Sequence, residues 1–203
     1  MYRFIESIRL EEGKLPYLNW HQQRVDHTLH HFGSNLNLRL EEQISLKNIP
    51  EKGVHKLRVV YGDEGVVSIE TSVYSVKLIK SFKLVELPDS IEYAFKYEDR
   101  GWLANLLADA GTDDVLMHRR GKLMDASYAN IALYLNGVWL TPRNPLLQGT
   151  CRSRMLEEGM LIEEELSIED LHQCLEMRWI NAMIPWEQAP SMQQKTIREM
   201  ITI

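Results

Sequence analysis

The chain has 203 residues, 44% hydrophobic and 26% charged, enough to bury a core in one ordinary domain or two small ones. A formal charge of -6, with no basic run or aromatic–basic interleaving, argues against a binder of nucleic-acid backbones, and the apolar runs are far too short to span a bilayer. MYRFIESIRL carries charges where a signal peptide needs an apolar stretch, and Cys151 and Cys174 have no metal-like spacing, so a reducing, cytoplasmic setting is expected.

Residues 3–10 read as a strand and EEGK (11–14) as a turn. A helix is expected to start at Asn19, a good N-cap, with Trp20, Val25, Leu29 and Phe32 along one face and Gly33 closing it. After an acidic, helical-looking segment come strands at HKLRVVYG (55–62), GVVSIET (65–71) and VYSVKLIK (73–80), the first two joined as a hairpin by Gly-Asp-Glu-Gly. KYEDRGWLANLLADAG (96–111) places Trp102, Leu103, Leu106, Leu107 and Ala110 at helical spacing, which predicts a helix over 97–110. Strands follow at 115–118, 129–135 and 138–141, the last two around Asn136-Gly137. GTCRSRMLEEG (149–159) reads as a helix ending at a C′ glycine, and SIEDLHQCL (167–175) opens with Ser-x-x-Asp, close to a capping box. EMRWINAMIPW (176–186) reads as a last strand running into a loop. Runs of strands and runs of helices predict an α+β fold. The polar stretch near Pro88-Asp89 suggests two small lobes, 1–88 and 89–203, with a cleft between them.

Lys96 lies at the junction of an apolar segment and the expected helix. Such a lysine is usually solvated; in a cleft, a desolvated amine could instead condense with a carbonyl. Asp125, near a turn after Gly121, reads as a cap or a loop acid, or as a buried carboxylate able to hold a proton on a heterocyclic nitrogen. Ser127 and Asn130 follow it as a short polar cluster before a strand. Gly149-Thr150-Cys151-Arg152 opens a helix whose free N–H groups and dipole suit an anion. Arg24, three residues after His21, is a surface arginine or a bidentate phosphate ligand. His21, His27, His30 and His31 lack a third metal ligand at sensible spacing, so no metal is expected and a solvated face is.

Taken in order, these residues resemble the class IV aminotransferase family, the fold-type IV pyridoxal-phosphate enzymes. RFIESIRLEEGKLPYLNWHQQRVDHTLHHFG is similar to the family's opening strand, glycine turn and helix bearing His-x-x-Arg. KYEDRGWLANLLADA resembles its Schiff-base lysine segment, and MDASYANIALYLNGVWLTPRNPLLQGTCRSRML its most specific block. INAMIPW is similar to the asparagine–alanine loop of the 4-amino-4-deoxychorismate lyase branch. The resemblance implies a fold like that of D-amino-acid aminotransferase, with pyridoxal phosphate as cofactor and Lys96 as its lysine and general acid/base. Asp125 would then pair with the pyridine nitrogen, with Ser127 and Asn130 shaping the strand mouth behind it. Arg24, Gly149, the Thr150 and Cys151 amides and the Asn181-Ala182 loop would hold the phosphate.

The resemblance also implies a homodimer acting on a small molecule. The expected reaction converts 4-amino-4-deoxychorismate to 4-aminobenzoate and pyruvate. The alternatives are an aminotransferase for branched-chain or D-amino acids, or a catalytically silent relative acting as a binding module. Two substrate carboxylates call for cations, for which Arg58, Arg100, Arg120 and Arg143 are available. The chain departs from the family pattern in three ways. Aspartate stands for the usual glutamate, Cys151 stands where threonine is usual, and the chain begins almost at the first family strand, which trims the small lobe.

Overall fold

The computed structural model describes residues 2–44 and 50–201. The chain divides into two compact units: everything up to Ser75 together with Phe95–Asp99, and Val76–Ala94 together with the chain from Arg100 onward. The elements are a mixture of helices and several sheets, an α+β fold.

In the smaller unit, β1 (Phe4–Glu11), β2 (Val54–Gly62) and β3 (Gly65–Val73) form an antiparallel sheet in that order. The α1 helix (Leu18–His31) buries Val25 and Leu29 in a core with Phe4, Ile8, Leu57 and Val59. Its N-cap is Tyr17 in the left-handed region (φ 63°) with no side-chain cap, so Asn19 lies inside the helix instead of capping it. Gly33 does close the helix: at φ +72° its amide donates to the His30 carbonyl, and the Ser34 amide reaches Leu29. Of the acidic segment that follows, α2 (Leu40–Gln43) is helical; the rest lies largely outside the described residues.

The segment 95–99 returns to this sheet. Phe4 bridges to Tyr97, the Ile5 amide donates to the Lys96 carbonyl (2.9 Å), and the Glu98 amide donates to the Arg3 carbonyl (2.8 Å). Lys96 therefore sits on an extended segment alongside β1. The helix expected over 97–110 begins only at Gly101, as α3 (Gly101–Ala110), because the backbone of 96–98 is already paired in sheet fashion.

The expected strand at 73–80 does not form. Past Val73, the last residue of β3, Leu78 is 69% exposed, so the alternation there has no core to face. The Asp113 carboxylate instead takes the Lys80 and Ser81 amides (2.9 and 3.0 Å), satisfying donors that a ladder would have used. The next strand is β4 (Phe82–Glu86), which pairs in parallel with β5 (Asp114–Arg119); β6 (Lys122–Ala126) is antiparallel to β5. Because β4 pairs with β5, Pro88-Asp89 falls inside the larger unit, in the loop after β4.

The larger unit's second sheet has the order β11-β10-β7-β8-β9, from β7 (Asn130–Leu135), β8 (Val138–Pro142), β9 (Ile162–Glu164), β10 (Glu176–Ile180) and β11 (Ser191–Gln193). Asn136 and Gly137 take the two positive-φ positions of the β7–β8 turn (53° and 83°). Leu116, Ile131, Leu133, Leu171, Met177 and Trp179 make one core there, with helix α4 (Thr150–Glu157) on a neighbouring cluster. Helices α5 (Ile168–Gln173) and α6 (Gln194–Ile201) complete the unit. The reciprocal cap expected from Ser-x-x-Asp is present on α5: the Asp170 amide donates to Ser167 Oγ (3.2 Å) and the Ser167 amide to Asp170 Oδ2 (2.7 Å).

Ser167→Ala removes one half of that cap, for an expected loss of about 1 kcal/mol. A thermal melt of the variant is expected to fall by roughly 2–4 °C for a chain of this size. An unchanged melting temperature would show that the cap contributes nothing.

Candidate active site

Asp125 lies within β6, a strand that the polar run Asp125-Ala126-Ser127 conceals at sequence level. The residue is 4% exposed and its carboxyl group is held at both oxygens. Oδ1 accepts from Asn130 Nδ2 (2.7 Å) and Oδ2 from the Leu147 amide (2.9 Å), while Asn130 Nδ2 also donates to the Leu147 carbonyl (2.9 Å). Burial pushes the carboxyl up to about 6, against the opposing pull of the Leu147 and Asn130 donors and of the Arg152 charge. Ser127 serves a different acid. Its amide (3.1 Å) and its hydroxyl both donate to Asp114 Oδ1, and Asp114 is fully buried.

Gly149 is required here by close approach, not by backbone conformation. A Cβ on it would stand 2.0 Å from Asn130 Oδ1. It is the N-cap of α4, which has no side-chain cap and no acid in its first turn, so the helix start offers its N–H groups and positive dipole end to an anion. The loop leading into it is fixed by Arg152, 1% exposed, which donates to Gln148 Oε1 (2.8 Å), the Pro142 carbonyl (2.7 Å) and Glu163 Oε1 (2.7 Å). The register of β7 with β10 sets Ile180 opposite Asn130, which brings Asn181 and Ala182 to the same sheet end as Asn130. That loop is tied by Asn181 Oδ1 accepting the Met183 amide (2.9 Å). The larger unit thus brings together Asp125, Asn130, Gly149, Thr150 and Cys151, with the Asn181-Ala182 loop at the sheet end where Asn130 lies.

The smaller unit holds the other two candidates. Arg24 donates from Nε to Glu6 Oε1 (2.8 Å) and from Nη2 to Oε2 (2.5 Å); His21 Nδ1 donates to Oε2 (2.6 Å). His21 is therefore buried, not part of a solvated histidine face, whereas His27, His30 and His31 are exposed. Glu6 has no exposure at all. Burial alone would raise its pKa, but the Arg24 charge and the hydrogen bonds from His21 and Arg24 outweigh burial and hold it well below the usual carboxylate range. Burial lowers the pKa of His21; Glu6 pulls it back, and the charges of Arg24 and Lys96 push it down further. The Lys96 charge thus acts on this cluster, and its backbone is paired to Ile5, beside Glu6.

Glu6 and Arg152 are not singled out by the sequence reading. An acid inside the apolar run FIESI, with His21 and Arg24 three apart on one helix, is the available signal for Glu6. Of the arginines considered for substrate carboxylates, Arg58 pairs with Glu98 (3.1 Å) and Arg100 precedes α3 as its N-cap. Arg120 and Arg143 line one cavity of about 350 Å³ in the larger unit; Arg120 pairs with Asp89, which also lines it, and Arg143 pairs with Glu164.

The family model described as amino-transferase class IV matches residues 94–191. An uncharacterised protein of Haemophilus influenzae is 32% identical over 187 residues, which is 90% of this chain and 98% of that protein. A crystal structure from Haemophilus somnus 129PT, of a protein provisionally named 4-amino-4-deoxychorismate lyase, has a TM-score of 0.79. It is 32% identical and covers 90% of this chain and 97% of its own. An aminotransferase from Brucella abortus, solved with its cofactor PLP, shares the fold at 18% identity (TM-score 0.70, covering 98% of this chain and 87% of that one). The chain belongs to the class IV aminotransferase family, the fold-type IV pyridoxal-phosphate enzymes.

The donor set fits that cofactor. In the larger unit, a buried, hydrogen-bonded carboxyl group suits a protonated ring nitrogen, and a helix start with a glycine N-cap and no side-chain cap suits a phosphate. Within the smaller unit, Arg24 and Lys96 are an arginine and an amine near the buried Glu6–His21 pair.

Two predictions arise from the larger unit. Asp125 binds its proton more tightly folded than unfolded, so its contribution to stability is fully present below its ordinary 3.8 and is lost as pH rises through about 6. At 1.36 kcal/mol per unit this is on the order of 3 kcal/mol. Denaturant titrations at several pH values are expected to show Asp125→Asn gaining on the unmodified protein by that amount across the interval; a pH-independent difference would contradict the raised value. Gly149→Ala forces Asn130 off Asp125 and Leu147, at a cost of roughly 2 kcal/mol or more. A variant with an unshifted denaturation midpoint would show that the contact is not tight.

Proposed function

We propose that this chain is a pyridoxal-phosphate lyase that converts 4-amino-4-deoxychorismate to 4-aminobenzoate and pyruvate, a step of folate biosynthesis. The observation that carries this reading is 32% identity across 90% of this chain and 97% of the Haemophilus somnus protein that provisionally bears that name. The Asn181-Ala182 loop supports it, since its sequence is similar to the corresponding loop of that branch of the family.

Bound pyridoxal phosphate supplies a carbonyl that condenses with amines and a protonated ring that accepts the electron pair released at the carbon bearing the amine. Lys96 would provide the amine that anchors the cofactor and would take the proton from the carbon bearing the substrate amine. Asp125 keeps the ring nitrogen protonated; a cation beside it favours its charged form and offsets the burial that raises its pKa. Asn130 and the Leu147 amide fix the direction of its carboxylate. Arg24, the Thr150 and Cys151 amides at Gly149, and the Asn181-Ala182 loop bind the phosphate. Loss of the enolpyruvyl group as pyruvate aromatises the ring, so the residues mainly bind, orient and move protons.

The same residues would serve an aminotransferase, with Lys96 moving the proton between two carbons. We also propose a cytoplasmic homodimer; no helix among the described residues is long and apolar enough to cross a membrane.

The test is a visible spectrum of the purified protein supplied with pyridoxal phosphate, then borohydride reduction and peptide mass mapping. The reading expects a cofactor band, a reduced adduct on Lys96, and release of 4-aminobenzoate and pyruvate from the aminated substrate. Lys96→Ala is expected to lose the adduct and all turnover while keeping its circular dichroism. An adduct with amino-group transfer but no pyruvate would select the aminotransferase; full turnover in Lys96→Ala would end the mechanism.

A further inference from the structure

Glu6 stands on β1 among Phe4, Ile5 and Ile8, with no exposure to water. A carboxylate there is tolerable only when its oxygens are satisfied by charged or strong donors. Three donated hydrogen bonds do so: two from Arg24, side-on, and one from His21. His21 and Arg24 lie three apart on one face of α1, so a single turn of helix delivers both donors to one acid. Thr28, one turn further on, donates its hydroxyl to the Arg24 carbonyl (2.8 Å), and the buried Tyr61 of β2 is hydrogen-bonded to Thr28. The guanidinium is thereby fixed to β1 through Glu6, while Thr28 and Tyr61 tie the α1 backbone that carries it to β2.

A planar guanidinium gripped through Nε and Nη2 has one orientation. The Glu6 carboxylate occupies the Nε–Nη2 edge, so that edge is closed to any other anion and the Nη1 side is the one turned away from Glu6. We propose that Glu6 is a positioning residue that sets which edge of Arg24 meets the cofactor phosphate, with His21 completing the shell of Glu6. The proposal rests on the reading of Arg24 as a phosphate ligand. It makes the phosphate contact depend on direction and not on surplus charge, because the Glu6–Arg24 pair is neutral as a whole.

Charge and positioning give opposite signs for Glu6→Gln. If charge alone mattered, removing a buried negative group beside the phosphate would tighten binding. If Glu6 positions Arg24, binding of the phosphate weakens. The experiment titrates the protein, Glu6→Gln and Arg24→Ala with pyridoxal phosphate and with phosphate-free pyridoxal, followed by visible absorbance. The ratio of the two affinities is the readout, since a general loss of structure moves both ligands together. The expected result is a ratio lowered on the order of tenfold in Glu6→Gln, about the worth of one charge-assisted contact, with pyridoxal affinity unchanged. An unchanged or raised ratio in Glu6→Gln, with a lowered ratio in Arg24→Ala, overturns the positioning role alone. An unchanged ratio in Arg24→Ala overturns the phosphate role of Arg24 itself, and this proposal with it. If Glu6→Gln lacks the native circular dichroism, Glu6→Asp is read instead. It keeps the charge but shortens the reach by one methylene, so a lowered ratio supports positioning and an unchanged ratio overturns it.

Discussion

Taking a carboxylate out of water costs several kcal/mol unless something replaces the lost solvation. Each unit of this protein buries one such group among its candidate site residues, and the two are resolved in opposite ways. Glu6 is met by a guanidinium and an imidazole N–H, so its charged form is favoured and its pKa falls. Asp125 is met by an amide nitrogen and a backbone N–H, with the Arg152 charge acting as a further pull, and burial prevails, so its pKa rises. The consequence is a division of labour. Glu6 is already committed to its cations and can only hold them in place, while Asp125 retains an unmet electrostatic demand that a protonated nitrogen would satisfy.

The demand of Asp125 also organises the backbone around it. Its Oδ2 is satisfied by the amide of Leu147, and the carbonyl of the same residue is satisfied by Asn130, so the loop after β8 is held at one residue from both sides. Arg152 reaches back from the first turn of α4 to the Pro142 carbonyl and to Gln148, which fixes both ends of that loop. Gly149 then has to lie against Asn130, where no Cβ fits. The position of the α4 helix start is thus inherited from the hydrogen bonds of an acid on β6. The two features read separately in the sequence are one construction.

That linkage explains what is legible. Elements with local signals read well: the Asn136-Gly137 turn, the Ser167–Asp170 cap and the Gly33 and Gly159 helix ends are each set by residues adjacent in sequence. Elements set by distant partners do not. The β6 strand is hidden because Asp125 faces a loop and a neighbouring strand that supply its donors. The run at 73–80 alternates like a strand, but Asp113 satisfies its last amide and the next one. Lys96 reads as a helix start until its carbonyl is seen to belong to the Ile5 amide. Glu6, an acid in an apolar strand, makes no sense until α1 folds over it.

The departures from the family pattern can be weighed by the same reasoning. The Cys151 side chain packs with Met155, Leu161 and Ile180, its Sγ 3.7 Å from Met155 Sδ, and burial raises its thiol pKa against the pull of Arg154, so the sulfur is committed within its own cluster. Whatever a threonine hydroxyl gives the family at this position, Cys151 offers an anion its backbone amide and not its side chain. The shorter acid at 125 is a gentler change. Its grip on Leu147 and Asn130 runs through both oxygens, which leaves the carboxylate no rotational freedom to lose when a cation arrives. An aspartate fixed in that way gives up reach and gains direction. In the proposed role at a ring nitrogen, where one proton has to be held in place, direction counts for more than reach.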